Sequence, residues 1–311
     1  VTGQLPIVPV PPPSAMYARE GCASISDANG NLLFYTNGIH IFNDNHTQMP
    51  GGILNGNPNS NSGPIFASAS QGVVIVPDPT NGNRYYIFTI SDAGIIQNGL
   101  SYTIVDMTLN GGTGDVLVAN KNTLLFGTTT VEGANIARHA NGCDYWFIGK
   151  EVGNNTFKTY YVSPAGVNLT PVISNTGSNT PKAWGSVKVS PNNKLIALAN
   201  SVGSARIQVF DFNNNTGVLT TKFSDNVGGY SSEFSTDNKI LYSVILSDPN
   251  IYQYDLTAPN NAAFQASRTI IGTTANTIGY KMCALQMALN GKIYAALQGL
   301  DYIGVINDPD I

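Results

Sequence analysis

Apolar and polar positions recur along the chain as one unit. A short apolar run leads to a Gly or Asn eight residues after the run begins, and a second apolar run follows at once. Cys22-Ala-Ser-Ile-Ser-Asp-Ala-Asn-Gly30 sets the template. The other copies run Val74 to Gly82, Ala134 to Gly142, Gly185 to Asn193, Tyr230 to Asn238 and Cys283 to Gly291. The spacing, roughly 45 to 60 residues, lies in the range of propeller blades. Each Asn-Gly or Asn-Asn step favours φ > 0, so each copy predicts a strand, a tight turn and a second strand.

Further runs complete the unit. Second strands are predicted over 32–36, 84–90, 144–150, 194–200, 239–245 and 292–298. Third strands are predicted over 39–43, 100–107, 156–163, 206–212, 251–256 and 302–307. Fourth strands are predicted over 115–119, 169–174, 218–223 and 266–271, with a less defined one inside 47–54. These runs are rich in Val, Ile, Tyr, Phe and Thr and are bounded by Gly, Pro and Asn, which marks strands. No helical periodicity of useful length is present.

Four strands per repeat around a ring make an all-β protein, a β-propeller of four-stranded blades. Six repeats are visible, or seven blades if further terminal residues add strands. One blade cannot bury its faces alone, so residues 1–311 are expected to form a single propeller domain with inner strands starting near 22, 74, 134, 185, 230 and 283. The sixth repeat stops after three strands. The proline-bearing segment Gln4 to Val10 suits an edge strand and is expected to close the ring as the missing outer strand. The chain opens mid-strand at Val1-Thr2-Gly3 and reads as a fragment of a longer protein.

Composition narrows the partners. Charged residues make up 11% of the 311 and the net charge is -4, with Asn, Gly, Ser and Thr filling the polar positions. No basic run is present, which disfavours nucleic acid, and no apolar run reaches the roughly 18 residues of a membrane span. The three cysteines, Cys22, Cys143 and Cys283, form no Cys-x-x-Cys pair. Cys22 and Cys283 share a repeat position, but inner strands of neighbouring blades are expected to exceed the roughly 7 Å Cα limit of a disulfide, so buried free thiols are expected.

Glu20 to Asp27 followed by Gly30-Asn-Leu-Leu-Phe-Tyr-Thr36 and Gly38 resembles the N-terminal propeller of large secreted proteins of Bacteroidetes, the gliding-motility-associated or type IX-secreted cell-surface proteins. Met49-Pro50, Tyr85-Tyr-Ile-Phe-Thr89, Val105-Asp-Met-Thr-Leu-Asn-Gly-Gly112, Gly114-Asp115, Arg138-His-Ala-Asn-Gly142 and Asp144-Tyr-Trp146 carry it further. Tyr252-Gln-Tyr-Asp-Leu256, Gly291-Lys-Ile-Tyr294 and Gly304-Val-Ile-Asn307 extend it to the end. The aromatic-Gly opening strand and the Gly-Leu-Pro-type closing segment of that family are absent. The resemblance implies export, a cell-surface location, a role in adhesion or recognition, and no catalytic residues.

Candidate chemistry is sparse. The four glutamates are Glu20, Glu132, Glu151 and Glu233. Glu20 and Glu132 stand two residues before an inner strand, at one mouth of a propeller channel, with Lys281 equivalent and Trp184, Tyr230 and Tyr280 nearby. Such a rim could receive a glycan or peptide; the plainer reading is a salt-bridged rim that orders loops. A glycosidase needs two carboxylates roughly 5 to 9.5 Å apart, and repeats 1 and 3 are not neighbours. His40, His46 and His139 form no metal-ligand spacing. Asp27 to Gly30 and Asn43 to Asn45 offer oxygens for structural calcium, but turn chemistry explains both more simply. No cofactor is expected, and Asn110 to Gly114 reads as a hairpin loop.

The leading expectation is a non-catalytic recognition or adhesion module, secreted to the cell surface, with other domains of the same chain beside it. The alternatives are a structural spacer or secretion cargo domain, and a carbohydrate-active propeller enzyme.

Overall fold

The computed structural model describes residues 14–18, 20–55, 69–91, 99–127, 129–180, 184–201, 206–246, 248–273, 281–298 and 303–311, with the side chains of 281–283 and 298 excepted. The expected ring-closing segment at residues 4–10 and Tyr280 therefore lie outside the described residues. Among those residues six antiparallel sheets follow one another along the chain, each opening on an inner strand of the repeat. The chain divides into two compact units. One holds the described residues up to Val152 together with Lys158–Val172; the other holds Gly153–Phe157 and Ile173–Ile311.

In the first unit, sheet 1 is β1 (Ala23–Ser26), β2 (Leu32–Thr36), β3 (His40–Asn43) and β4 (Gln48–Ile53) in sequential order. Sheet 2 is β5 (Val73–Asp78), β6 (Asn81–Ile90), β7 (Leu100–Asp106) and β8 (Asp115–Val116), with β9 (Thr123–Phe126) also paired to β7. Sheet 3 is β10 (Asn135–Arg138), β11 (Tyr145–Lys150), β12 (Thr156–Ser163) and β13 (Gly166–Val167), with β14 (Val172–Asn175) on β12; residues 156–157 and 173–175 of it are counted with the other unit. The second unit carries sheet 4, β15 (Gly185–Val189), β16 (Leu195–Asn200), β17 (Ile207–Asn213) and β18 (Val218–Asp225). Sheet 5 is β19 (Ser231–Phe234), β20 (Ile240–Val244), β21 (Asn250–Asp255) and β22 (Thr269–Thr273). Sheet 6 is β23 (Lys281–Met287), β24 (Ile293–Gln298) and β25 (Gly304–Ile306).

The period-2 alternation of strands lets one strand serve two cores. In β6, Ile87 faces a core shared with Phe34 and Met49 of sheet 1. Its neighbour Phe88 faces the opposite core and stacks on Phe147 of sheet 3, ring centroids 4.2 Å apart. In β20, Leu241 meets Ala197 and Val209 of sheet 4, whereas Tyr242 meets Leu285 and Ile293 of sheet 6. Fully burying such a side chain stabilises by about 1.5–3 kcal/mol.

The first turn of each sheet follows the repeat in five of the six expected cases: Gly30, Gly142, Asn193, Asn238 and Gly291 all have positive φ. Gly82 does not. There the turn comes earlier, at Pro79-Thr80: proline fixes its φ, and Asp78 Oδ1 accepts from Thr80 N at 2.8 Å. Sheets 4 and 5 share a latch at this turn. Ser190 Oγ donates to Asn192 Oδ1 at 2.7 Å and accepts from Leu195 N at 2.9 Å. Ser235 Oγ likewise donates to Asp237 Oδ1 at 2.8 Å and accepts from Ile240 N at 2.9 Å. Each of these turns is finished by the following sheet: Asn192 N donates to Asn238 Oδ1 at 2.9 Å, and Asp237 N to Asp310 Oδ1 at 3.0 Å.

Three further expectations are corrected. The fourth strand predicted over 266–271 begins at Thr269, because residues Asn261–Ala266 form a short helix, α1, capped by Asn260 accepting from Ala263 N. The fourth strands of sheets 2 and 3 are each split in two, at β8/β9 and β13/β14. Cys22 is exposed rather than buried, and Cys143 is exposed too; both are free. Cys22 shares parity with Ser24 and Ser26, the exposed positions of β1, so its side chain stands away from the core.

Candidate functional site

The segment just before β5 gathers the lead-in segments of sheets 1 and 3. Gly21 N donates to Ala69 O at 3.1 Å, and Gln71 N donates to Glu132 O at 2.9 Å. A Cβ at Gly21 would lie 2.3 Å from Gly72 N, so this approach requires glycine. Glu132 is 1% exposed. Its Oε2 accepts from Ser70 N at 3.1 Å and from Ser70 Oγ at 2.9 Å. Ser70 itself is half-buried. A hydroxyl that donates to a buried carboxylate within 2.6–3.2 Å is the geometry of a nucleophile held by its base.

The five described rim positions divide between the units. Glu20, next to Gly21, is exposed, and Glu132 is buried against Ser70; both flank the 69–72 segment through the bonds above. In the other unit Trp184 is half exposed and precedes β15, its carbonyl accepting from Ser201 N at 3.0 Å. Tyr230 is half-buried and precedes β19, its N–H bonded to Val244 O at 2.8 Å. Lys281 opens β23 opposite Gln298.

Beside the Glu132 segment lies a buried cation. Lys150, at the end of β11, is 0% exposed, and burial pushes its ammonium pKa down to about 8. Next to it, Glu151 accepts from Lys158 at 2.6 Å and bridges to Thr130.

Sequence reasoning passed over a polar set in the second unit. Lys188 of β15 donates to Glu233 Oε2 of β19 at 3.0 Å and to Gln286 Oε1 of β23 at 2.8 Å. Glu233 Oε2 also accepts from Met287 N at 2.9 Å, and Oε1 accepts from Phe234 N at 3.1 Å. Lys188 and Glu233 are both buried. The signal was present: a Lys, a Glu and a Gln fall within three inner strands made largely of apolar and small residues.

The remaining candidates serve local structure. Asp27 accepts from Asn29 N at 2.9 Å, Asn31 N at 2.8 Å and Asn31 Nδ2 at 2.9 Å, and these bonds, the Asn31 side chain's foremost, hold its carboxyl below the usual range. Asn43 Oδ1 accepts from Asn45 N at 3.1 Å and Thr47 N at 3.0 Å. His46 Nδ1 meets Tyr35 Oη at 3.0 Å, His139 Nδ1 accepts from Asn141 N at 3.0 Å, and His40 is pushed down by burial. Among the described residues no three His, Cys, Asp or Glu side chains converge on one point.

No protein-family model and no curated protein matches the chain. Solved structures do. A proposed 6-phosphogluconolactonase from Bacteroides fragilis superposes with a TM-score of 0.50 at 12% identity, over 80% of this chain and 68% of that one. Hydrazine synthase from Kuenenia stuttgartiensis gives 0.51 at 13% identity, over 91% and 82%. The β-propeller domain of Cps50 (Swd1) from Myceliophteria thermophila gives 0.49 at 9% identity, over 90% and 80%. The chain is an all-β protein with the β-propeller architecture. The expectation that it is not an enzyme is overturned: the Bacteroides fragilis protein that shares its fold is named as a 6-phosphogluconolactonase, so a propeller with few acid–base clusters is no argument against catalysis.

Proposed function

We propose that this chain is a carbohydrate-directed propeller enzyme that hydrolyses a sugar-derived ester of the lactone kind. The observation that carries the reading is the Ser70 hydroxyl, half-buried and donating at 2.9 Å to the buried Glu132 carboxylate. Ser70 Oγ attacks the ester carbonyl carbon while its proton passes to Glu132. The carbonyl–oxygen ester bond breaks, and the departing ring oxygen takes that proton. Water then hydrolyses the Ser70 ester by the same relay, returning the hydroxy acid and the free serine. The name of the Bacteroides fragilis neighbour supports the substrate class.

The same proposal places the domain in an exported cell-surface protein, on the strength of the sequence resemblance, where a glycan would supply substrate. Hydrolysis of aldonolactones, with and without a 6-phosphate, followed by proton release, tests the activity. Substrate turnover that S70A and E132Q leave unchanged would overturn the assignment of these residues. The absence of turnover on the whole panel would overturn the reaction class. The full-length gene product, inspected for a leader and a sorting domain, tests the location.

A further inference from the structure

The third strands of sheets 2, 4 and 5 carry an aspartate at one repeat position. Backbone bonds fix the equivalence: Met107 N donates to Asn83 O at 2.8 Å, Phe212 N to Lys194 O at 2.8 Å and Leu256 N to Lys239 O at 2.7 Å. The aspartates just before those donors are Asp106, Asp211 and Asp255. In sheets 2 and 5 the turn that follows consumes the carboxylate. Asp106 Oδ1 accepts from Thr108 N at 2.9 Å and from Thr108 Oγ1 at 2.6 Å. Asp255 Oδ1 accepts from Thr257 N at 2.7 Å and from Thr257 Oγ1 at 2.6 Å. Sheet 4 has Asn213 in place of that threonine. Asn213 Oδ1 serves its own turn, accepting from Asn215 N at 3.1 Å and Thr216 N at 3.2 Å. Asp211 stays exposed, its Oδ1 accepting from Lys222 Nζ at 3.0 Å.

The neighbouring lysine is released in the same way. In sheet 5 Lys239 pairs with Asp237 at 2.8 Å. Its counterpart Lys194 has the neutral Asn192 at the place of Asp237, and Asn192 Oδ1 accepts from Lys194 N at 3.0 Å. The Lys194 ammonium joins no ion pair among the described residues. Lys194 and Asp211 line one cavity of about 540 Å³ on the outer hairpin of sheet 4, with Asn213, Val218 and Thr220. Asp211 stands opposite Thr220 and Asn213 opposite Val218, so these four share one face. Val218 is 39% exposed and gives that face an aliphatic floor. The volume is that of a small-molecule site. Amide, hydroxyl and carboxylate groups around an aliphatic floor match the hydroxyls and C–H groups of a sugar ring. Lys222 already balances Asp211, so the Lys194 charge is in excess and favours an anionic group on the guest.

We infer that the outer hairpin of sheet 4 is a binding site for an acidic saccharide, a hexuronate unit whose carboxylate meets Lys194 and whose hydroxyls meet Asp211, Asn213 and Thr220. This site does not rest on the Ser70–Glu132 reading. Its test measures equilibrium binding to the whole chain by ligand-observed saturation-transfer NMR and titration calorimetry, with glucuronate, glucose and inorganic phosphate as probes. Glucuronate should bind native protein more tightly than glucose, and phosphate should be inert. K194M should weaken glucuronate binding by about tenfold, the order of one charge-assisted hydrogen bond, and erase its advantage over glucose. D211A should weaken both sugars. K239M, at the equivalent position of sheet 5, should leave binding unchanged. S70A should also leave it unchanged, so a failure of this site and a failure of the hydrolysis are read separately. Glucuronate that does not bind, or that glucose or phosphate equals in affinity, would overturn the site. So would an undiminished affinity in K194M, or a loss in K239M as large as in K194M.

Discussion

Glu132 and Glu233 are both buried glutamates at the inner end of a sheet, yet their surroundings differ in kind. Glu233 is held by the Lys188 ammonium and by two backbone N–H groups on its two oxygens. Glu132 is held through Ser70, one of whose two bonds comes from a hydroxyl with a transferable proton. The Lys188 ammonium at 3.0 Å and the two N–H groups make Glu233 a tie between three strands. The Ser70 hydroxyl at 2.9 Å brings Glu132 a donor whose proton can be transferred. Burial alone does not mark a functional acid; the identity of the donor does.

The comparison can be broken most sharply at Glu132. E132Q keeps the shape and removes the base, so lactone hydrolysis should fall by about 10²–10⁴-fold, the range of a lost general base. Equilibrium unfolding of the same variant should change far less than its activity. A substitution at Glu233 should do the reverse. E233A leaves Lys188 charged and unpaired in the interior and should destabilise by about 3–5 kcal/mol in urea unfolding, with any activity per folded molecule retained. Replacing both partners at once, K188M with E233L, should recover most of that loss, since a packed apolar pair can equal a buried ion pair.

Lys150 sharpens the contrast with a buried cation of the first unit. Its folded pKa of about 8 lies below its ordinary value, so the unfolded chain binds the proton more tightly. Stability should therefore rise with pH from about 8 to the ordinary lysine range, where both states become neutral. K150M should flatten that rise in denaturation midpoints measured across the window. The smallest effect belongs to the turn latches. S190A and S235A each remove one hydroxyl that donates once and accepts from backbone N–H groups, and each should cost about 1–2 kcal/mol. Equal losses at the two positions would confirm that sheets 4 and 5 use one device.

The repeat was legible because turn chemistry is local. Gly30, Gly142, Asn193, Asn238 and Gly291 each carry the positive φ that their residue types tolerate. Gly82 misled because Pro79, two residues before its Asn-Gly step, captures the turn first. The six-residue helix at Asn261 is under two turns and shows no period; its cap, Asn260, is the signal a closer reading would use. Glu132 was visible by its place before an inner strand. Ser70 was not, because a serine is ordinary in a polar lead-in segment and gains its role by lying against a residue 62 positions away. The Lys188–Glu233–Gln286 set was legible in principle, by comparing equivalent positions of three repeats rather than scanning each alone.

The turn latches also bear on the order in which the chain can settle. The turn of sheet 4 donates a hydrogen bond to Asn238 of sheet 5, and the turn of sheet 5 donates one to Asp310, beyond the last strand of sheet 6. A chain emerging from the ribosome makes Asn192 well before Asn238, and Asp237 well before Asp310. Each turn therefore waits, provisional, until the next sheet has been synthesised and has docked. Maturation runs like a zip whose teeth engage one sheet late, and the carboxylate of Asp310 engages the last of these teeth.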